Sequence, residues 1–181
     1  MIATLKGSIA KMTELLARLS PHSTSRPTRV QPQPVRDVVA NAVAALAARH
    51  EIRISGAPAI WAQADSAALE QAVRHLVQNA IEASPPNVPV EVRVEARGTE
   101  AAIVVRDQGC GMDLDFIRDQ LFQPFASTKP SGFGIGAFEA NSLAVAMGGR
   151  ISVESRPGEG SSFTIHLPAA QSPPAEYRKI A

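Results

Sequence analysis

Apolar residues recur along this chain with two periods, and the switches between them divide it into elements. In residues 2–19, Ile2, Leu5, Ile9, Met12, Leu15, Leu16 and Leu19 return at steps of three and four, the spacing of a helix with one apolar stripe. Pro21, Pro27, Pro32 and Pro34 then fall among Ser, Thr and Arg, which marks residues 21–34 as a linker or an extended segment. Helical spacing resumes over residues 35–49, with Val35, Val38, Val39, Ala42, Val43, Leu46 and Ala47 facing inward. Short strands at 51–55 and 59–64 flank the turn G-A-P, and Asp65 is placed to cap a helix over 66–84 that Pro85-Pro86 stops. Alternating runs at 90–96 and 101–106, parted by R-G-T-E, predict a hairpin. A short helix over 114–120 follows, then a helix over 137–147 with a glycine stop at Gly148-Gly149. Two last strands, 150–155 and 161–167, are joined by R-P-G-E-G, and residues 169–181 read as a loose polar tail. Strands and helices alternate with hairpins among them. The pattern predicts an α/β (α+β) two-layer sandwich, a mixed sheet with helices on one face, preceded by an amphipathic helix.

Composition narrows the picture. The chain has 181 residues, 45% of them hydrophobic, enough for one domain and an appendage. A net charge of +1 and an aromatic content of 4% argue against a nucleic-acid partner. The single cysteine, Cys110, excludes an internal disulfide framework and a cysteine-based zinc cluster. No apolar run approaches the ~20 residues of a membrane span and the amino terminus lacks a signal-peptide pattern, so a soluble, cytoplasmic piece without membrane contact is expected.

Candidate chemistry lies in separate stretches. The strand at 101–106 runs into D-Q-G-C-G-M at 107–112. A carboxylate only accepts hydrogen bonds, so Asp107 suits a ligand edge that offers N–H, such as the exocyclic amine of adenine. Gly109 and Gly111 let the backbone turn tightly and approach a ligand, although a strand-end turn needs no ligand to have this sequence. On the helix 66–84, His75, Asn79 and Glu82 line up beside the apolar face. The Asn79 carbonyl is a suitable oxygen ligand for Mg²⁺, which takes few protein ligands together with substrate phosphates. A solvated helix edge would look the same. Finally, S-T-K-P-S-G-F-G-I-G at 127–136 precedes a helix, where backbone N–H groups can face an anion. Lys129 and the hydroxyls of Ser127 and Thr128 could add phosphate contacts, and a flexible loop is the plainer reading.

Taken together, H-L-V-Q-N-A-I-E-A, D-Q-G-C-G-M, F-Q-P-F, G-F-G-I-G-A and G-x-G-S-S-F-T-I-H-L-P occur in an order that resembles the catalytic ATP-binding domain of sensor histidine kinases. That domain belongs to the GHKL superfamily, shared with type II topoisomerases, mismatch-repair ATPases and a heat-shock chaperone. The resemblance covers residues 35–168, with H-L-V-Q-N-A and F-A-S-T-K-x-x-G-x-G-I-G-A similar to the nitrogen-regulation and PEP-CTERM-associated types. It implies the Bergerat ATP-binding fold, with a mostly antiparallel sheet. It also implies roles. Asn79 would coordinate Mg²⁺ on the ATP or ADP phosphates, with acidic Glu82 near the metal shell or substrate. Asp107 would accept the adenine amine, supported by a hydroxyl of Ser161 or Ser162, while Gly109, Gly111 and Met112 shape the pocket. Phe122 and Phe125 would anchor the base of a lid. Gly132, Gly134, Ile135 and Gly136 would hold the phosphates, with Thr128 and Lys129 on the lid.

Superfamily members that hydrolyse ATP carry a glutamate four residues before the metal-binding Asn. Here that position is His75, either a base or a polar residue helping to hold Asn79. The resemblance therefore favours phosphoryl transfer to a protein histidine over attack by water. No acceptor histidine is evident: His50 lies in H-E-I-R but between a helix and a strand, and His22 sits beside Pro21. Residues 1–20 read as the remnant of a dimerisation and phosphoacceptor hairpin, able to pair with a second copy. The expected activity is that of a protein-histidine kinase fragment using Mg²⁺ and ATP, with a phosphoacceptor domain and a response regulator as partners. A GHKL ATPase and a non-catalytic nucleotide-sensing module are the alternatives.

Overall fold

A computed structural model describes residues 29–127 and 132–172. The helix expected over 1–20, most of the expected linker, the end of the tail, and the lid residues Thr128 and Lys129 lie outside the described residues.

The strands are β1 (Gln31–Pro34), β2 (Ile52–Gly56), β3 (Trp61–Ala64), β4 (Val90–Arg97), β5 (Glu100–Arg106), β6 (Arg150–Arg156) and β7 (Gly160–Ala170). The helices are α1 (Val35–Val43), α2 (Ser66–Ala83), α3 (Leu114–Asp119) and α4 (Gly136–Ala146). The strands form one sheet in the order β1-β3-β7-β5-β4-β2, with β6 paired to β7. Among the described residues only β2 with β4 is parallel; the other pairs are antiparallel. The mixed, mostly antiparallel sheet with its helices on one face is the expected architecture.

Alternation fixes which face the helices cover. Val90, Val92 and Val94 of β4, Ala101, Ile103 and Val105 of β5, and Phe163, Ile165 and Leu167 of β7 are all buried. They meet Val35, Val38, Val39 and Ala42 of α1 and Leu69, Val73, Leu76, Val77 and Ala80 of α2, which recur at helical spacing in the same core. α2 starts where expected: Asp65 accepts a hydrogen bond from Ala68 N at 3.0 Å. It ends at Ser84, whose extended backbone is what a following proline requires. α4 closes on Gly148, at φ +76°, with Gly149 N donating to Ala144 O at 2.9 Å.

Two boundaries differ from the sequence reading. α1 stops at Val43 rather than Arg49, and the chain runs on in turns, with Leu46 N bonded to Val43 O and Arg49 N to Leu46 O. Between residues 44 and 49 only Leu46 packs against the core, so burial rewards no further regular helix. Residues 31–34, read as the end of a linker, pair with β3 from Gln31 opposite Ala64 to Pro34 opposite Trp61. Prolines fit there because β1 is an edge strand.

Candidate functional site

The alternation that buries Ala101, Ile103 and Val105 continues one step past the end of β5 and turns Asp107 to the helix side of the sheet, where it is 3% exposed. Its Oδ1 accepts from Gly109 N at 2.8 Å and from Ser161 N at 3.2 Å. The Ser161 backbone thus supports Asp107 directly. The Ser161 hydroxyl instead lies 3.0 Å from Ser155 Oγ. Ser162, one residue on, takes the opposite side of the strand, beside Arg106 and Glu154.

The loop 107–112 is held against the turn between β6 and β7. Gly158 N donates to Cys110 O at 2.7 Å, and Met112 N to Ser155 Oγ at 2.9 Å. Gly111 has φ +66°, and a Cβ there would stand 1.9 Å from Arg156 O. Gly109 is close-packed on its other side, where a Cβ would meet Ala83 O of α2 at 2.3 Å. Both glycines of D-Q-G-C-G-M are thus needed for packing; of the two, only Gly111 also lines the cleft. Ser155 joins these pieces, and sequence reasoning passed over it because a serine in an alternating strand carries no distinctive signal.

α2 and α4 wall a cleft of about 440 Å³ with Asp107 on its floor. His75, Asn79 and Glu82 line it from α2, and Gly132, Gly134, Ile135 and Gly136 from the segment that leads into α4. Gly136 opens α4 directly against Asn79: a Cβ on it would stand 3.2 Å from Asn79 Oδ1. His75 Nε2 lies 2.9 Å from Glu139 Oε2 in the first turn of α4. Glu82 Oε1 accepts from Gln78 Nε2 at 2.9 Å. The far wall is apolar, made by Met112, Phe116, Leu121 and Phe163.

Phe122 and Phe125 do not line this cleft. Phe122 packs on the core, whereas Phe125 is 53% exposed. Phe125 ties the loop through its backbone instead: its N donates to Gly134 O at 3.0 Å, closing 126–133 at its base, and its own φ is +68°. Phe116 and Phe133, which sequence reasoning did not single out, supply the aromatic lining. His50 is buried and its Nε2 lies 2.8 Å from Val88 O, so the H-E-I-R run serves the fold.

A buried carboxylate, an Asn and a glycine-rich segment entering a helix, gathered in one cleft with an apolar wall, suit a ligand with one flat N–H-bearing end and one anionic end. On this sheet the arrangement is the Bergerat type of ATP-binding architecture. Comparison with known proteins agrees. The model of the histidine kinase-, DNA gyrase B- and HSP90-like ATPase family matches residues 64–171, and the chain belongs to that family. The C4-dicarboxylate transport sensor protein DctB of Rhizobium meliloti is 31% identical over 179 residues, covering 93% of this chain and 28% of the relative. The signal transduction histidine-protein kinase AtoS of Escherichia coli is 34% identical over 106 residues, 58% of this chain and 17% of its own. The chain thus spans less than a third of the length of these relatives. Among solved structures, the mycobacterial sensor histidine kinase MprB superposes with a TM-score of 0.70 at 25% identity, over 79% of this chain and 99% of that one.

Proposed function

We propose that the cleft binds Mg-ATP and that the domain transfers the γ-phosphoryl group to a histidine on a separate dimerisation domain, as part of two-component signalling. The observation that carries this reading is the convergence of Asp107, Asn79 and the 132–136 segment on one cleft from three distant parts of the chain. Asp107 would take the adenine amine, Met112 and Phe116 would pack on the base, and the N-terminus of α4 would face the phosphates. Asn79 offers an amide oxygen at that end, with Glu82 a turn away, a donor set that fits an ion drawing its other ligands from phosphate and water. Asn79, with Glu82 nearby, would hold Mg²⁺, which when bound would supply positive charge that offsets the charge of the phosphates. The chain's own contribution is to position the nucleotide and keep one side of it dry.

His75 at the place of a water-activating glutamate favours transfer over hydrolysis. The narrower likeness to nitrogen-regulation and PEP-CTERM-associated kinases rests on the runs H-L-V-Q-N-A and F-A-S-T-K, and we propose it on that basis, together with a response regulator downstream and a cytoplasmic site of action, where ATP is supplied. The deciding experiment mixes the chain, Mg²⁺, labelled ATP and a separately made acceptor hairpin. Label on a hairpin histidine is the expected result. Free phosphate alone would instead identify an ATPase, and nucleotide binding with neither product a sensing module.

A further inference from the structure

The walls of the cleft carry a polar contact, between His75 and Glu139, that the roles above do not use. His75 Nε2 of α2 and Glu139 Oε2 of α4 are 2.9 Å apart, and both residues line the cleft. Each lies about one helical turn from the place where Gly136 meets Asn79. The order is crossed, 75 with 139 and 79 with 136, so the two contacts together fix the register of α2 against α4 where Asn79 must be aimed. A carboxylate can only accept, so the contact with Glu139 calls for the His75 tautomer with its proton on Nε2; Gln71 Nε2 lies 3.5 Å from the same nitrogen, a longer approach than the 2.9 Å to Glu139.

Glu139 stands in the first turn of α4. A carboxylate there is drawn to the same partial positive charge that would draw a phosphate. Left to itself it would compete with an anionic ligand for the helix N-terminus. Bonded to His75, it is held on the α2 side of the cleft and part of its charge is offset.

We propose that His75 is a positioning residue for the anionic end of the ligand: it holds Glu139 away from the N-terminus of α4 and sets the distance between Asn79 and Gly136. The inference rests on the Mg-nucleotide reading of the cleft. Calorimetric titration of Mg-ADP into the whole chain tests it in the wild type, His75→Ala, His75→Gln and the double variant His75→Ala/Glu139→Gln. Freeing one carboxylate at a helix N-terminus should weaken binding about tenfold in His75→Ala. Neutralising that carboxylate in the double variant should recover most of the loss, which a merely structural role for the pair would not allow. His75→Gln keeps a donor and should lose less than His75→Ala. Unchanged affinity in His75→Ala, or a double variant as weak as the single one, overturns the inference. A wild-type chain that fails to bind Mg-ADP overturns the nucleotide reading itself. Melting curves show which variants are folded. Should His75→Ala unfold, His75→Asn with and without Glu139→Gln carries the same comparison.

Discussion

Asp107 serves the fold and the proposed ligand at once, so the choice of substitution decides what is learned. Its Oδ1 accepts two buried backbone N–H groups, from Gly109 and Ser161. Alanine would leave both without that acceptor, at a cost of about 1–3 kcal/mol for each buried group left unsatisfied. Asp107→Asn keeps an oxygen for them and puts an amide donor where the second carboxylate oxygen stood. It should melt close to the wild type while losing adenine-nucleotide affinity by roughly 10- to 100-fold, the worth of a charge-assisted hydrogen bond. Calorimetry with ADP would show it, and an Asn variant that binds normally would remove Asp107 from the adenine end. A neighbouring residue gives an independent reading. Cys110 lines the cleft, is exposed, and is the only thiol in the chain. ATP or ADP should slow its alkylation, followed by mass spectrometry, and a rate indifferent to nucleotide would place the ligand elsewhere.

At the scale of elements, the site depends on how closely α4 approaches α2. Gly136→Ala adds a methyl 3.2 Å from Asn79 Oδ1, at a helical position where alanine is otherwise the better residue. Stability should therefore change little, while phosphoryl transfer and the Mg²⁺ dependence of binding fall about tenfold or more as the amide is pushed aside. A transfer assay at several Mg²⁺ concentrations checks this, and full activity would mean that Asn79 is not the group being aimed. The opposite face of the sheet answers to pH. Arg150 bonds the Glu100 carboxylate, with Nη2 to Oε2 at 3.0 Å, and this bond, more than nearby His166, holds the Glu100 carboxyl below its usual value. A lowered folded pKa gives stability that is present above the ordinary carboxylate range and is lost as pH falls through the folded value. Glu100→Gln should thus be slightly less stable than the wild type at neutral pH. The gap should close in acid, measured as urea midpoints across pH, and a gap that widens in acid would contradict the sign. These elements were readable in different degrees. α2 announced itself through its cap, its period and its prolines, whereas β1 was hidden because prolines mark linkers and edge strands alike.

Across the whole molecule, what could be read locally was read and what depends on distant contacts was not. The period-2 runs of β4, β5 and β7 and the period-3.6 runs of α1 and α2 indicated a sheet with helices on one face, because each element must bury its own apolar side. Asn79, Asp107 and Gly136 were identified by residue type and order, and the fold brings them to one cleft. Ser155, Glu139 and the Phe116 wall were missed, since each matters only through a partner far along the chain. The same limit bears on where the domain begins. Sequence spacing puts its start at Val35, but Arg29 N donates to Asp65 Oδ2 at 2.9 Å and β1 lies along β3. A chain starting at Val35 loses that bond and leaves β3 as a bare edge, exposing backbone groups now paired. If the strand and its tie contribute about 1–2 kcal/mol, a chain of this size should melt roughly 2–8 °C lower than one starting at Arg29. The cleft lies on other elements, so Mg-ADP affinity should be equal in the two. Equal melting points would return the boundary to Val35, and a loss of affinity would show that β1 supports the site from across the sheet.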